Sequence, residues 1–498
     1  MGEKYFFWNA IPNLILACGL FYYLYIRKNI AAVLVAMFVY ISLHGGYAVF
    51  AAATADGINT MNQLHYVKSD SGVKIVGSLF LLGCFLLIGI RIKNQWFLIL
   101  KSITFKWEII VAIALFVVFM LLGAINSSQI KTENLLIILK ELIFSIGMWI
   151  VAAVFSVVIN NGREYFIRYR AECFYILTTL VLIMIPVGFY EIIDGMVWAG
   201  TKYRTGFSYR ASGTLFNPNV LGLWAAMMSL ASSFFFHLGL ISRSVCFAAM
   251  TLTFTCILLA SSRTGLILGI IVLFVAPVII YFCIKDKKHN FIYRAWPFIA
   301  FLIVFIFYFI FLNYINLGSL TIFDILRVNL LRFTDFPHDV ISLLRMKWAS
   351  IEYINQIFKS LGIDLMNVNL YGRELMSINE SWGGRMSLQL NSDNVFSDNS
   401  FLYIYKTGGY QALFCWAWIW MTGLYIGYKK MITSPSIYSA YAFAGLIFCL
   451  LSSVFLRTPQ LFPLWIFNSM LLGCCLNWWT SPNNVVINTN KHIDKVAF

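Results

Sequence analysis

Apolar residues along this chain gather in long unbroken blocks, and the polar residues fall between them. A helix that crosses a bilayer needs about 20 mostly apolar residues. Runs of that kind lie at 6–26, 30–52, 74–90, 108–124, 134–158, 172–192, 219–238, 244–260, 264–284, 295–316, 400–427, 437–456 and 461–479. The pattern predicts an all-α integral membrane protein with about 12–13 transmembrane helices. Segment 95–105 is too short to span and is expected along the interface. The first run is too long for the apolar core of a secretory signal and has no basic segment of any length before it. It is therefore read as the first membrane helix rather than a cleaved leader.

The runs divide the chain into helices 1–10 over 1–316, one large outer loop over 317–399, helices 11–13 over 400–480 and a tail over 481–498. Within the loop, 341–360 carries Ile341, Leu344, Trp348, Ile351, Ile354 and Ile357 on one helical face. This spacing predicts an amphipathic helix lying on the bilayer surface. The sequence contains no internal repeat and no low-complexity stretch.

Composition supports a lipid surround. The chain is 60% hydrophobic and 11% charged, against about 25% charged for a soluble globular protein. Too few charges are present to cover a soluble surface of this size, and lipid removes the need for them. Charge then supplies orientation. Lys and Arg concentrate in alternate loops, among them Arg27 and Lys28; Arg91 and Lys93; Arg163, Arg168 and Arg170; Arg243; Lys285, Lys287 and Lys288; and Lys429 and Lys430. By the positive-inside rule that side faces the cytoplasm, together with the tail. The net charge of +15 is read as this topology signal, set against anionic lipid, and not as nucleic-acid binding. The ten cysteines include no CxxC pair, so neither a zinc site nor a disulfide framework is expected. Cysteine in an apolar helix behaves as a small hydrophobe.

Candidate chemistry lies on the opposite side. Its basic residues are mainly arginines: Arg204, Arg210, Arg263, Arg327, Arg332, Arg345, Arg373, Arg385 and Arg457. The positive-inside rule disfavours them there. Guanidinium is always charged, and its fork of donors matches phosphate oxygens, so an anionic ligand at the outer surface is one reading. Pairing with the loop carboxylates, such as Asp335, Asp339 and Glu374, is the other.

Three runs sharpen this. Arg210–Asn219 (RASGTLFNPN) leads into the seventh apolar run, with a tight turn at Asn217-Pro218-Asn219 and Asn219 placed to cap the helix. Helix N-termini bind anions. Ser261–Gly265 (SSRTG) puts Arg263 in a very short outer hairpin at membrane depth, where a charge is costly unless it faces a polar cavity. Ser397-Asp398-Asn399-Ser400 opens the eleventh run, with Gly408-Gly409 further along. Asp398 is placed either to act as a general base or to cap the helix.

In this order the runs resemble the superfamily of bacterial O-antigen polymerases and O-antigen ligases. RASGTLFNPNVLG at 210–222, SSRTGLILG at 261–269, RMKWASIEYINQIFKSLGID at 345–364 and DNSFLYIYKTGGYQALF at 398–414 carry the likeness, which covers 205–427. The large outer loop before the last spans is similar too. The resemblance implies a GT-C-like membrane glycosyltransferase of the bacterial inner membrane, multi-pass, with its active site facing the periplasm. It implies transfer of a glycan from undecaprenyl pyrophosphate to an acceptor sugar, with no cofactor and no metal. On that resemblance Arg345, Arg263 and Asp398 are the catalytic candidates. Arg210, Asn217, Asn219, Asn399, Arg204 and Arg385 are the candidates that hold pyrophosphate and glycan. Implied partners are the lipid-linked oligosaccharide, the bilayer, and a chain-length regulator and flippase of the same pathway; no nucleic acid is expected.

Departures from the ligase pattern bear on which reaction is run. Family ligases have His-Asn where this chain has Asp398-Asn399; Ala412 replaces a glycine, and Trp348 follows Arg345 by three residues instead of four. Of the outer-loop histidines, His65 and His338, neither lies in the motif. The polymerase reading is therefore preferred, with Asp398 first and His338 second as base. A ligase acting on lipid A–core and a transporter for lipid-linked sugars or small solutes remain as alternatives. Transporters commonly carry repeated halves.

Overall fold

A computed structural model of the protein describes residues 2–27, 32–43, 71–92, 107–126, 170–186, 215, 218–260, 264–272, 299, 302–303, 306, 400–433, 437–455, 471–472 and 475. The described residues are helical apart from one connection, with no strand among them. The helices are α1 Gly2–Arg27, α2 Ala32–Leu43, α3 Ser71–Ile92, α4 Trp107–Asn126, α5 Arg170–Pro186, α6 Pro218–His237, α7 Arg243–Ala260, α8 over 264–272, α9 Ser400–Thr433 and α10 Ile437–Phe455. Each falls on an apolar run read from the sequence. Segment 95–105, the run 134–158, the loop 317–399 with its amphipathic stretch 341–360, and the tail 481–498 lie outside the described residues.

The core is built on α6 and α2. Leu221, Leu223, Trp224, Ala225, Ala226 and Met228 are fully buried, as are Ala32, Val33, Ala36 and Met37. A helix apolar on every side belongs inside a bundle. The indole N–H of Trp224 donates to Ser42 Oγ at 3.2 Å, and its ring stacks on Phe38 at 6.3 Å. A buried Trp needs such a partner for its one donor. Outward from α2, Tyr40 stacks on Phe80 of α3 at 4.3 Å, and Phe80 meets Phe21 of α1 edge-on. Helix α5 packs on α6 and α7; α9 packs on α4 and α10.

Several hydroxyls inside the helices are satisfied by their own backbone. Ser232 donates to the Met228 carbonyl at 2.7 Å, Thr253 to Met250 at 2.8 Å, and Ser453 to Cys449 at 2.7 Å. This back-bonding is how a polar side chain survives where no water reaches.

Helix α6 stops at a glycine cap and turns into α7. Gly239 takes a φ of 74°. Its N–H donates to the Phe236 carbonyl at 2.9 Å, and the Leu240 N–H donates to Phe235 at 2.9 Å. These are the paired bonds of a Schellman motif, and glycine takes this left-handed conformation without a Cβ clash. Ser242 then opens α7, accepting from the Val245 N–H at 3.4 Å. The result is an antiparallel helical hairpin, with Cys246 near the Ser232 carbonyl at 3.8 Å.

The outer helices turn apolar side chains away from the protein. Helix α3 exposes Ile75, Leu79, Leu82, Leu86 and Ile90, and α9 exposes Tyr410, Phe414, Trp418, Met421, Tyr425 and Ile432. Steps of three and four residues place each set on one helical face. Among the described residues, Asn219–His237 is the one helix both long and apolar enough to cross a membrane, and 83% of it is buried within the bundle. Shorter apolar helices include Ile75–Ile90, Trp107–Leu122 and Ser439–Ser453.

Candidate functional site

The first candidate run reaches the structure at Pro218, which begins α6. Proline suits a first helical position, where its missing N–H would have had no partner. Asn219 therefore lies inside the first turn, half-buried, and is not the cap that the sequence reading made it. The position before the first helical residue is 217, occupied in the sequence by an asparagine.

One turn further, Gly222 meets the second run. A Cβ on Gly265 would lie 2.7 Å from the Gly222 carbonyl carbon and 2.8 Å from its Cα. An approach this close requires glycine at 265, the small-residue contact by which apolar helices cross tightly. Gly269, a turn further along α8, faces Ile257 of α7. Residues 257 and 269 stand six positions either side of 263, so α7 and α8 form an antiparallel pair about SSRTG. The start of α8 is thus packed on the start of α6, and the runs 210–222 and 261–269 meet there although 43 positions separate Gly222 from Gly265.

The third run is organised differently from its sequence reading. One uninterrupted apolar helix was expected from residue 400 onward. Instead Gly409 breaks α9, with φ 74° and ψ −172°, a conformation essentially restricted to glycine. Phe401 and Trp416 show the consequence. Fifteen residues apart, they would be about 22 Å apart along a straight helix. Their rings meet edge-on at 4.7 Å. The chain therefore doubles back at Gly409, laying 400–408 against 410–433. Ser400, Ile404, Ala412 and Trp416 are buried, and Trp416 contacts Trp420 at 5.6 Å. Ala412, where family ligases carry glycine, fills this buried position.

Of the sequence-read site residues, Asn219 alone is described. Asp398, Arg345, Arg263, Arg210, Asn217, Asn399, Arg204 and Arg385 lie outside the described residues, as do His65 and His338.

The opposite end of α6 holds a polar node that the sequence reading missed. Tyr441 of α10 is buried, hydrogen-bonded to Ser233 Oγ and to His237 Nδ1 at 2.7 Å. His237 Nδ1 also lies 2.8 Å from the Ser233 carbonyl. A protonated Nδ1 donates to that carbonyl, and an unprotonated Nδ1 accepts from the Tyr441 hydroxyl; the tautomer sets which contact is the hydrogen bond. The node ties α10 to the last turn of α6. No spacing in the sequence announces it, because its members are 208 positions apart.

Comparison with models of known protein families, with curated proteins and with solved structures finds no match to this chain.

Proposed function

We propose that this protein is a multi-pass membrane glycosyltransferase that polymerises lipid-linked oligosaccharide units on the outer face of a bacterial inner membrane. The class rests on the apolar side chains that α3, α4 and α9 turn outward. Exposed apolar surface on this scale is unfavourable in water and ordinary in lipid. The particular reaction rests on the resemblance of the four runs to O-antigen polymerases.

The observation that carries the reading is the contact of Gly222 with Gly265. Two of the resembling runs, distant in sequence, converge on one end of the α6–α8 bundle. Arg263 stands two positions before Gly265, and Asn219 three before Gly222. In the proposed reaction, the acceptor hydroxyl oxygen bonds to the anomeric carbon of the donor sugar. The bond from that carbon to the pyrophosphate oxygen breaks, and the hydroxyl proton passes to a base, for which Asp398 is the choice. Guanidinium groups of Arg210, Arg263 and Arg345 stabilise the charge growing on the leaving pyrophosphate. Undecaprenyl remains in lipid, so the site opens sideways into the bilayer.

Arg263→Ala and Arg345→Ala are each expected to abolish long polysaccharide chains at unchanged protein level, read on lipopolysaccharide gels. Normal chain length in both variants overturns the site. A null strain separates polymerase from ligase: loss of a polymerase leaves one repeat unit on lipopolysaccharide, and loss of a ligase leaves none.

A further inference from the structure

We infer that residues 400–408 form a re-entrant half-helix and that Gly409 is a positioning residue for the proposed transferase site; the second half of this rests on the polymerase reading above.

Length gives the first argument. As one straight helix, α9 would extend about 51 Å, far beyond a hydrocarbon core of about 30 Å. Broken at Gly409, the long arm 410–433 is about 36 Å and ends at Lys429 and Lys430, where the inner interface is expected. The short arm does not continue that span. It runs back beside it, as the Phe401–Trp416 contact requires.

Burial gives the second. Non-spanning backbone is tolerated at membrane depth only where protein covers it. Ser400 is fully buried and Ile404 almost so, whereas the long arm exposes Tyr410 and Phe414 on its far side. The short arm is therefore on the protein side of the long arm. Its first residue sits at the level of Trp416, about 10 Å along the long arm from the break. In the sequence, Asp398 and Asn399 immediately precede Ser400, so the residue chosen as base is two positions from the buried start of the short arm.

Gly409 permits this geometry. With φ at +74°, an L side chain is strained there whatever space surrounds it. The near approach of Gln411 Oε1, 2.8 Å from an added Cβ, is a lesser matter, since an amide end can swing away. Straightening the break moves the start of the short arm by many ångströms.

Two measurements on the full-length protein in membranes test this. With p-benzoylphenylalanine at position 401, the photo-adduct is expected within 412–420 of the same chain, mapped by mass spectrometry. A disulfide formed in the F401C/W416C double variant reads the same proximity by another route. Adducts elsewhere, together with no disulfide, overturn the half-helix. In proteoliposomes supplied with lipid-linked repeat units, Gly409→Ala is expected to lower kcat about 100-fold, the scale of a small misplacement of reacting groups, with KM for the lipid-linked donor changed far less. Gly408→Ala, on the helical side of the break, is the control and is expected to retain activity. An equal loss in both variants, or a change in KM alone, overturns the positioning role. Absence of polymer from the parent protein, with the cross-links intact, overturns the polymerase reading and the role built on it while leaving the half-helix in place.

Discussion

Helices α6 and α9 are both apolar and use that character in opposite ways. On α6 nearly every side chain from Val220 to Leu230 is buried, the Ser232 hydroxyl bonds back to a carbonyl of its own helix, and Gly222 lets a neighbouring backbone come into contact. Along α9 one face is buried through Ala412, Trp416, Ile419 and Trp420, and the other exposes Phe414, Trp418 and Tyr425. Apolar character by itself therefore says nothing of the neighbour. Protein covers α6 on all sides, and α9 has an outward face that suits lipid.

Breaking α6 should produce the largest effect. Trp224→Ala removes a fully buried indole and its hydrogen bond to Ser42. A loss of about 4 kcal/mol is expected, measured by denaturant unfolding in detergent micelles. Trp418→Leu on the outward face of α9, where the ring is 49% exposed, is expected to change stability by under about 0.5 kcal/mol. Equal losses in the two variants would remove the contrast.

A charge on an outward face sharpens the same comparison. Leu82 of α3 is 55% exposed. If its surround is lipid, Leu82→Arg carries an insertion cost of about 3 kcal/mol and depletes the membrane-inserted protein in a fractionation experiment. In water the same change would be nearly neutral. Unchanged membrane levels would therefore count against the multi-pass reading.

A smaller loss than those of Trp224→Ala and Leu82→Arg is expected for Gly265→Ala. One methyl is forced to within 2.7 Å of the Gly222 backbone, and backbone cannot swing aside as a side chain can. A loss of about 2 kcal/mol is expected, seen as a lower Tm in detergent. Gly239→Ala, which crowds nothing within 4 Å but holds a φ of +74°, separates backbone strain from crowding.

Much of the helix placement was legible in the sequence. The runs 219–238, 244–260 and 437–456 fall within a residue or so of Pro218–His237, Arg243–Ala260 and Ile437–Phe455. Continuous apolar character is a local property, and Gly239 and Ser242 punctuate it with their own local chemistry. The third candidate run was legible only in part. Gly408-Gly409 was visible as a feature, but an apolar run that continues across a glycine looks the same whether the helix passes straight through or folds back.

The sequence by itself determined the helical class and the positions of these helices. Tertiary structure alone decided that 222 meets 265, that Tyr441 closes on Ser233 and His237, and that the chain turns back at Gly409. Those pairings are long-range, and a chain apolar on every helical face carries no amphipathic contrast from which to read which face meets protein and which does not.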